Sequence, residues 1–115
     1  MAIAVTTPNT KVGFIDNATS ADASGCEEIH AAVTGKKIKI RHITINSTSA
    51  IAITIGAGET GGAVTSALLG PIEFDALQSM QWNFNPLLEL PAATSLTVDA
   101  DGAGVICVFV QGVIE

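Results

Sequence analysis

The chain is poor in charged residues. Asp, Glu, Lys and Arg make up 14% of its 115 residues, whereas they form about a quarter of a typical soluble domain. Basic residues are the scarcest, with five against eleven acidic ones and a net charge of −6 at pH 7. A net negative chain repels phosphate backbones and anionic bilayers, so neither nucleic acid nor a membrane is an expected partner. The shortage of charge also indicates a surface that is partly neutral or covered by other subunits.

Long hydrophobic runs are also absent. The most apolar charge-free stretch, from Ala103 to Ile114, is interrupted by glycine and glutamine, and it is shorter than the roughly eighteen residues that a membrane helix needs. The first ten residues lack the basic start, the apolar stretch and the cleavage site of a secretory signal. We therefore expect synthesis in the cytoplasm.

The chain has only two cysteines, Cys26 and Cys107, and they form no CxxC pair. Cys107 is embedded in apolar neighbours, and cytoplasmic thiols stay reduced. This favours two free thiols over a disulfide. A disulfide that closes a long loop remains the alternative, because sequence does not establish whether the two Cβ atoms meet.

Motifs of catalysis and cofactor binding are missing. The glycine-rich segment from Gly56 to Gly62 lacks the Lys and Ser/Thr of a phosphate-binding loop, so it is interpreted as a flexible hairpin loop. No GxSxG element marks a hydrolase nucleophile. We nominate no catalytic residue, no cofactor and no metal, and we expect a protein that is not an enzyme.

Two groups of residues are weak candidates for a metal site, and neither is expected to bind a metal ion. Cys26, Glu28 and His30 alternate along the chain, but adjacent positions on one strand do not easily reach one tetrahedral zinc ion. Asp99 and Asp101 offer too few oxygen ligands for a calcium loop and fit a simple turn.

What the sequence has in abundance is strand-forming residues. Val, Ile and Thr dominate the regular segments,. The clearest pair runs from Lys36 to Asn46 and from Ala50 to Ile55, and the pattern predicts a hairpin joined by a serine and threonine turn. Within the first of these strands the apolar parity switches around Arg41 and His42, which predicts a bulge there.

Later segments predict further strands. Apolar and polar residues alternate from Met80 to Asn85, and a short edge segment is expected between Pro86 and Pro91,. The last strand, Val105 to Ile114, is apolar on both faces, which is typical of a central sandwich strand or of a subunit interface. Residues 21–33 are expected to be strand or loop, since Gly25 disfavours a helix.

About eight strands without helical crossovers predict an all-β fold, an antiparallel β-sandwich of jelly-roll-like type, with a small barrel as the alternative. The length fits one domain. We expect an N-terminal arm over residues 1–11 and a β-sandwich domain over residues 12–115.

Four of the five basic residues lie within six positions. Such a cluster either protects an edge strand from unwanted pairing or forms a contact for an acidic partner. Together with the basic residue of the arm, it gives the candidate partner contacts Lys11, Lys36, Lys37, Lys39 and Arg41. The only tryptophan is expected in the core or at an interface, ahead of a sugar-stacking role. The candidate subunit-interface residues are Trp82, Phe109 and Val110.

Three stretches carry a resemblance to a known group of proteins. They are the phrase "GKKIKI" leading to a strand, the late "LPAATSLTVDADG", and the closing strand "GVICVFVQGVIE". With the uncharged arm that precedes them, they resemble the small β-sandwich capsid decoration, or cement, proteins of tailed bacteriophages.

That resemblance implies a jelly-roll-like fold and a homotrimer on the outside of a phage head, made in the host cytoplasm. The implied partner is the major capsid protein, the implied role is reinforcement of the shell, and no cofactor is implied. A phage tail or fibre module and a carbohydrate-binding β-sandwich are the alternatives, because a fold does not fix a function.

Overall fold

A computed structural model describes residues 12–20, 26–60, 63–102 and 104–115. These residues form eight β-strands and no helix, so no helix that could span a membrane is found among them. The strands are β1 (Val12–Ser20), β2 (Cys26–His30), β3 (Ile38–Ser47), β4 (Ala52–Thr60), β5 (Ala63–Glu73), β6 (Gln78–Glu89), β7 (Leu96–Ala100) and β8 (Ile106–Ile114).

The strands pair into two four-stranded antiparallel sheets. Sheet A has the order β1-β8-β3-β6, and sheet B has the order β2-β7-β4-β5. Eight strands divided between two sheets in this order form a jelly roll, the double Greek key in which the chain passes repeatedly from one sheet to the other. The predicted all-β sandwich is therefore confirmed. The expected arm over residues 1–11 lies outside the described residues.

The core lies between the two sheets and consists of alternate residues from the inner strands. Isoleucine dominates it, because a β-branched side chain packs well on a pleated surface. On β3, the buried isoleucines lie at positions 38, 40, 43 and 45, and on β4 they lie at positions 53 and 55. The inner side of β8 adds Ile106, Val108 and Val110.

The predicted bulge in β3 is confirmed. The register of β3 shifts between Ile40 and His42 against both of its neighbours, β6 and β8. An extra residue inserted into a strand moves the following side chains to the other parity. The bulge therefore lets Ile40 and Ile43, which differ in parity, both face the core, and it leaves Arg41 exposed.

The predicted hairpin between β3 and β4 is wrong. The turn chemistry is as expected, since the Ser47 hydroxyl donates to the Ser49 carbonyl oxygen at 2.7 Å. However, β3 lies in sheet A and β4 in sheet B, so the connection crosses between sheets. Two alternating isoleucine rows are buried equally well as neighbours in one sheet or as facing rows of two sheets. Parity alone does not distinguish the two arrangements.

The glycine-rich segment is also different from the prediction. Gly56 to Thr60 belong to β4 and pair with β5, whereas residues 61 and 62 lie outside the described residues. Gly58 has a φ of +76°, a conformation that L side chains rarely adopt,. Gly56 and Gly58 therefore belong to a strand and not to a loop.

The remaining strand predictions agree with the structure. Cys26–His30 forms β2, so the expectation of strand for that part is confirmed, and residues 21–25 lie outside the described residues. The segment before Leu90 belongs to β6, which is an edge strand of sheet A. The last strand, β8, runs between β1 and β3 as a central strand.

Candidate interaction surface

Twelve side chains on the outer side of sheet A form three rows, which we call face A, and the next outward row, Gly13, Val113, Lys39 and Glu89, forms its charged border. Directly paired residues share a face, and the strand register therefore arranges these side chains in three rows across β1, β8, β3 and β6. The rows are Ile15, Gln111, His42 and Asn83; Asn17, Phe109, Thr44 and Gln81; and Thr19, Cys107, Asn46 and Ser79.

Face A contains no Asp, Glu, Lys or Arg. Most of its members are amides or hydroxyl side chains. Ile15 is 64% exposed. Phe109 lies in the middle row and is half-buried. An uncharged face with exposed apolar groups loses little hydration when another surface covers it.

Hydrogen bonds along face A hold its side chains in place. His42 Nδ1 donates to the Asn83 side-chain oxygen at 2.7 Å, and in the neutral ring Nε2 accepts from the Thr44 hydroxyl at 2.5 Å. The His42 ring also meets Phe109 edge-on, with 6.1 Å between ring centroids. Between β8 and β1, the Cys107 thiol donates to the Asn17 side-chain oxygen at 3.1 Å. A fixed set of side chains needs less ordering when a partner binds.

The basic cluster lies at one end of sheet A, at the border of face A, and two of its four members are neutralised by carboxylates of the chain. Lys37 Nζ lies 2.7 Å from a Glu89 carboxylate oxygen, and Lys39 Nζ lies 3.0 Å from Glu115. The hydrogen bond to Glu115 raises the pKa of Lys39, and the hydrogen bond from Lys37 lowers the pKa of Glu89. Only the second pair involves Glu115, and both pairs are exposed enough to solvent that each adds little stability,.

Two members of the cluster keep their charge available. Among the described residues, no carboxylate forms an ion pair with Lys36 or Arg41. Arg41 is exposed and projects from the bulge beside face A, and Lys36 is half-buried. Of the described candidate partner contacts, only these two therefore offer an uncompensated positive charge.

The outer side of sheet B, which we call face B, has the opposite character. Its strands contain acidic residues but no Lys or Arg. The strand register places Glu28 and Asp99 on face B, together with Cys26, Thr54, Gly56 and Thr97. Burial, reinforced by the nearby carboxylates of Glu59 and Asp99, raises the pKa of the Cys26 thiol above its ordinary 9.0. The Cys26 thiol is therefore protonated at neutral pH and is a poor nucleophile.

The two cysteines are both free. Cys26 lies on face B and Cys107 on face A, on opposite sides of the sandwich. The expectation of two unpaired thiols is confirmed, because a disulfide would require the two Cβ atoms to be about 4 Å apart.

The flank formed by β1 and β2 contains the other histidine. His30 Nδ1 lies 2.5 Å from an Asp16 carboxylate oxygen, and the His30 ring packs on Phe14 with 4.5 Å between ring centroids. These contacts close the two sheets along this flank. In the described part of the chain, no three His, Cys, Asp or Glu side chains converge as metal ligands.

The predicted interface residues lie on different sides of sheet A. Phe109 is on face A, as an interface residue should be. Val110 is 0% exposed within the sandwich core, so this part of the prediction is wrong, because its side chain offers no surface to a partner. Trp82 pairs with Ile43 on the inner side of sheet A and packs against the core. Lys11 lies outside the described residues.

Sequence reasoning missed most of face A. Its amides come from four strands that are far apart in the chain, and their common placement depends on the register. The available signal was the polar row of Gln81, Asn83 and Asn85 opposite the apolar row of β6. That row indicates that one face of β6 is exposed to solvent, but it does not indicate which residues of the adjacent strands lie beside it.

No protein-family model matches the chain, and no curated protein matches it.

Proposed function

We propose that the chain is a virion structural protein, a homo-oligomeric capsid decoration protein that binds the outside of a phage head and stabilises it. The single observation that carries the proposal is the contrast between uncharged face A and acidic face B. A module whose readily desolvated face can meet another copy suits a homo-oligomer, and its basic end and acidic face B then stay open to other contacts.

Stabilising an assembled shell requires binding alone, so a small module can do it without a catalytic site. A protein that binds only the assembled shell lowers the free energy of that shell by mass action. When an oligomer engages several capsid subunits at once, weak contacts add up to a long-lived attachment. The jelly-roll order supports the proposal by analogy only, since viral capsid domains and lectins both use this architecture.

The contact with the major capsid protein is assigned to the basic end of sheet A. Arg41 and Lys36 have positive charges that no described carboxylate neutralises, so they would pair with acidic groups on the capsid. Such a contact steers association and weakens as salt is added.

The test is binding to heads of a phage whose genome encodes the chain, prepared without it. Co-sedimentation should saturate at a fixed number of copies per capsomer, and the heads should then resist heat better. Arg41→Glu should lower the affinity, whereas Leu77→Glu, at an exposed turn remote from the cluster, should not. The absence of saturable binding by the unaltered chain would overturn the proposal.

A carbohydrate-binding or tail-fibre module is the second candidate. One observation favours glycan binding, namely that Phe109 lies among amides that can bond sugar hydroxyls,. Trp82 does not contribute to that platform, since it faces the other side of sheet A. Glycan-array binding that is lost in Phe109→Ala would support this candidate, and an array without binding would remove it.

A further inference from the structure

We infer that face A is the contact between two copies of this chain, each presenting the same twelve side chains to the other. The inference rests on the homo-oligomer of the proposed function but not on capsid binding. It names the surface and the symmetry, which the sequence does not indicate.

The charge distribution favours this face over the other surfaces of the sheets. Each chain has a net charge of −6, so two copies repel each other at long range,. Face B against face B would bring Glu28 and Asp99 of one copy close to the same residues of the other. Face A carries no acidic or basic side chain, so two copies can meet there without like charges in the contact,.

The hydrogen-bonding chemistry makes face A complementary to itself. An Asn or Gln side chain has both a donor and an acceptor, and a hydroxyl also has both. Two identical amide surfaces can therefore satisfy each other, which two identical charged surfaces cannot. Around these groups, Ile15 and Phe109 supply apolar area that is now in contact with water. An isologous contact requires this kind of self-complementarity.

The size of face A determines how strongly two copies are expected to bind each other. Twelve positions spaced by about 4.8 Å between strands and about 6.8 Å along them cover roughly 400 Å² per copy. Two copies would thus bury about 800 Å² or somewhat more, which is at the low end for specific protein contacts. We expect a reversible dimer that dissociates on dilution. An isologous contact gives two copies, whereas the resemblance implied three.

The experiment places the same new charge on each outer face. Gln111 is exposed on face A between Ile15 and His42, and Thr54 lies on face B beside Asp99. Gln111→Lys would bury a cation in the contact, where face A provides no acid to pair with it. Thr54→Lys is the matched control, because it adds the same side chain outside the contact. Solution mass is measured by light scattering over a hundredfold range of concentration, and far-UV circular dichroism checks that each variant is folded.

The expected result is a mass of two chains at high concentration for the unaltered protein and for Thr54→Lys. Gln111→Lys should raise the dissociation constant by about a hundredfold or more. If the mass is three chains, or if folded Gln111→Lys associates normally, the inference fails while the proposed homo-oligomer stands. A single-chain mass at every concentration would overturn the inference and the homo-oligomer together, and binding to phage heads would then be judged separately.

Discussion

The two outer faces of the sandwich are built on similar inner faces but differ in almost every other respect. Both sheets turn rows of aliphatic side chains towards the core. Outside, face A is uncharged, and nine of its twelve side chains are amides, hydroxyls or imidazole. Face B is acidic, and its centre is closed, since Gly56 and Thr97 are buried although they point away from the core.

The comparison teaches that inner and outer residues carry different information. The inward-facing aliphatic side chains of both sheets have the same role, which is to form the core between two layers. Other aliphatic side chains of similar size could fill that role in either sheet. The exposed outer residues are under no such requirement from the fold, because water would satisfy their polar groups. The difference between face A and face B is therefore the part of the structure that points to function.

The largest expected effect on stability comes from a substitution at Gly56, and it tests how tightly the centre of face B is packed. Gly56→Ala would bring a Cβ against the Val64 side chain and within 2.9 Å of the Ser66 carbonyl oxygen. Because the Ser66 contact is with backbone, the strands must separate, and we expect a loss of about 1–3 kcal/mol in the free energy of unfolding. Urea unfolding at neutral pH measures it.

The matched control is a glycine on the open side. Gly13 lies on the outer side of β1, and a Cβ there would meet only the Gly112 carbonyl oxygen at 3.9 Å. Gly13→Ala should leave stability unchanged or raise it by a few tenths of a kcal/mol, because alanine restricts the unfolded chain. Equal losses for the two variants would show that the faces do not differ in packing.

A smaller effect is expected from the buried hydroxyl on face B. Thr97 Oγ1 donates towards the carbonyl oxygens of Gly56 at 3.1 Å and Gly58 at 3.0 Å. Thr97→Val keeps the shape but removes the donor, and a buried group without its partner costs about 1–2 kcal/mol. Thermal unfolding should show the loss. The control, Thr44→Val on face A, should stay within about 0.5 kcal/mol, since water can replace its half-exposed hydroxyl; a loss as large as that of Thr97→Val would contradict the comparison.

The fold was predictable in class because strand signals are local. The alternation along β6 and the parity switch at Arg41 and His42 gave the strands and the bulge in their correct places. The partner of each strand was not predictable, because pairing depends on contacts that are distant in sequence. The chain pairs β1 with β8 and β3 with β6, and nothing local in β3 distinguishes those neighbours from β4.

The candidate site was predictable only in fragments for the same reason. Phe109 and Val110 were both nominated because β8 is apolar on both sides, and of the two only Phe109 lies on the outer side of the sheet. Which side faces the core follows from the sheets on either flank of β8. The pairing of Lys37 with Glu89 joins residues that are 52 positions apart, so the neutralisation of the basic cluster was not visible either.

The smallest expected effect concerns the charged border of face A and depends on pH. The hydrogen bond from Lys37 lowers the pKa of Glu89 below its ordinary 4.5. The ionised carboxylate is therefore favoured in the folded state, and its contribution is fully present above the ordinary pKa and is lost as pH falls through the lowered one. Glu89→Gln should lower the midpoint of thermal unfolding slightly at neutral pH, by less than Thr97→Val does, because both partners are exposed,. The difference should vanish in acid and shrink in high salt.

A deficit that persists unchanged below the lowered pKa would mean that Glu89 acts through packing of its side chain and not through its charge. In that case the border of face A would be structural, and Lys37 would be free to bind a partner with Lys36 and Arg41.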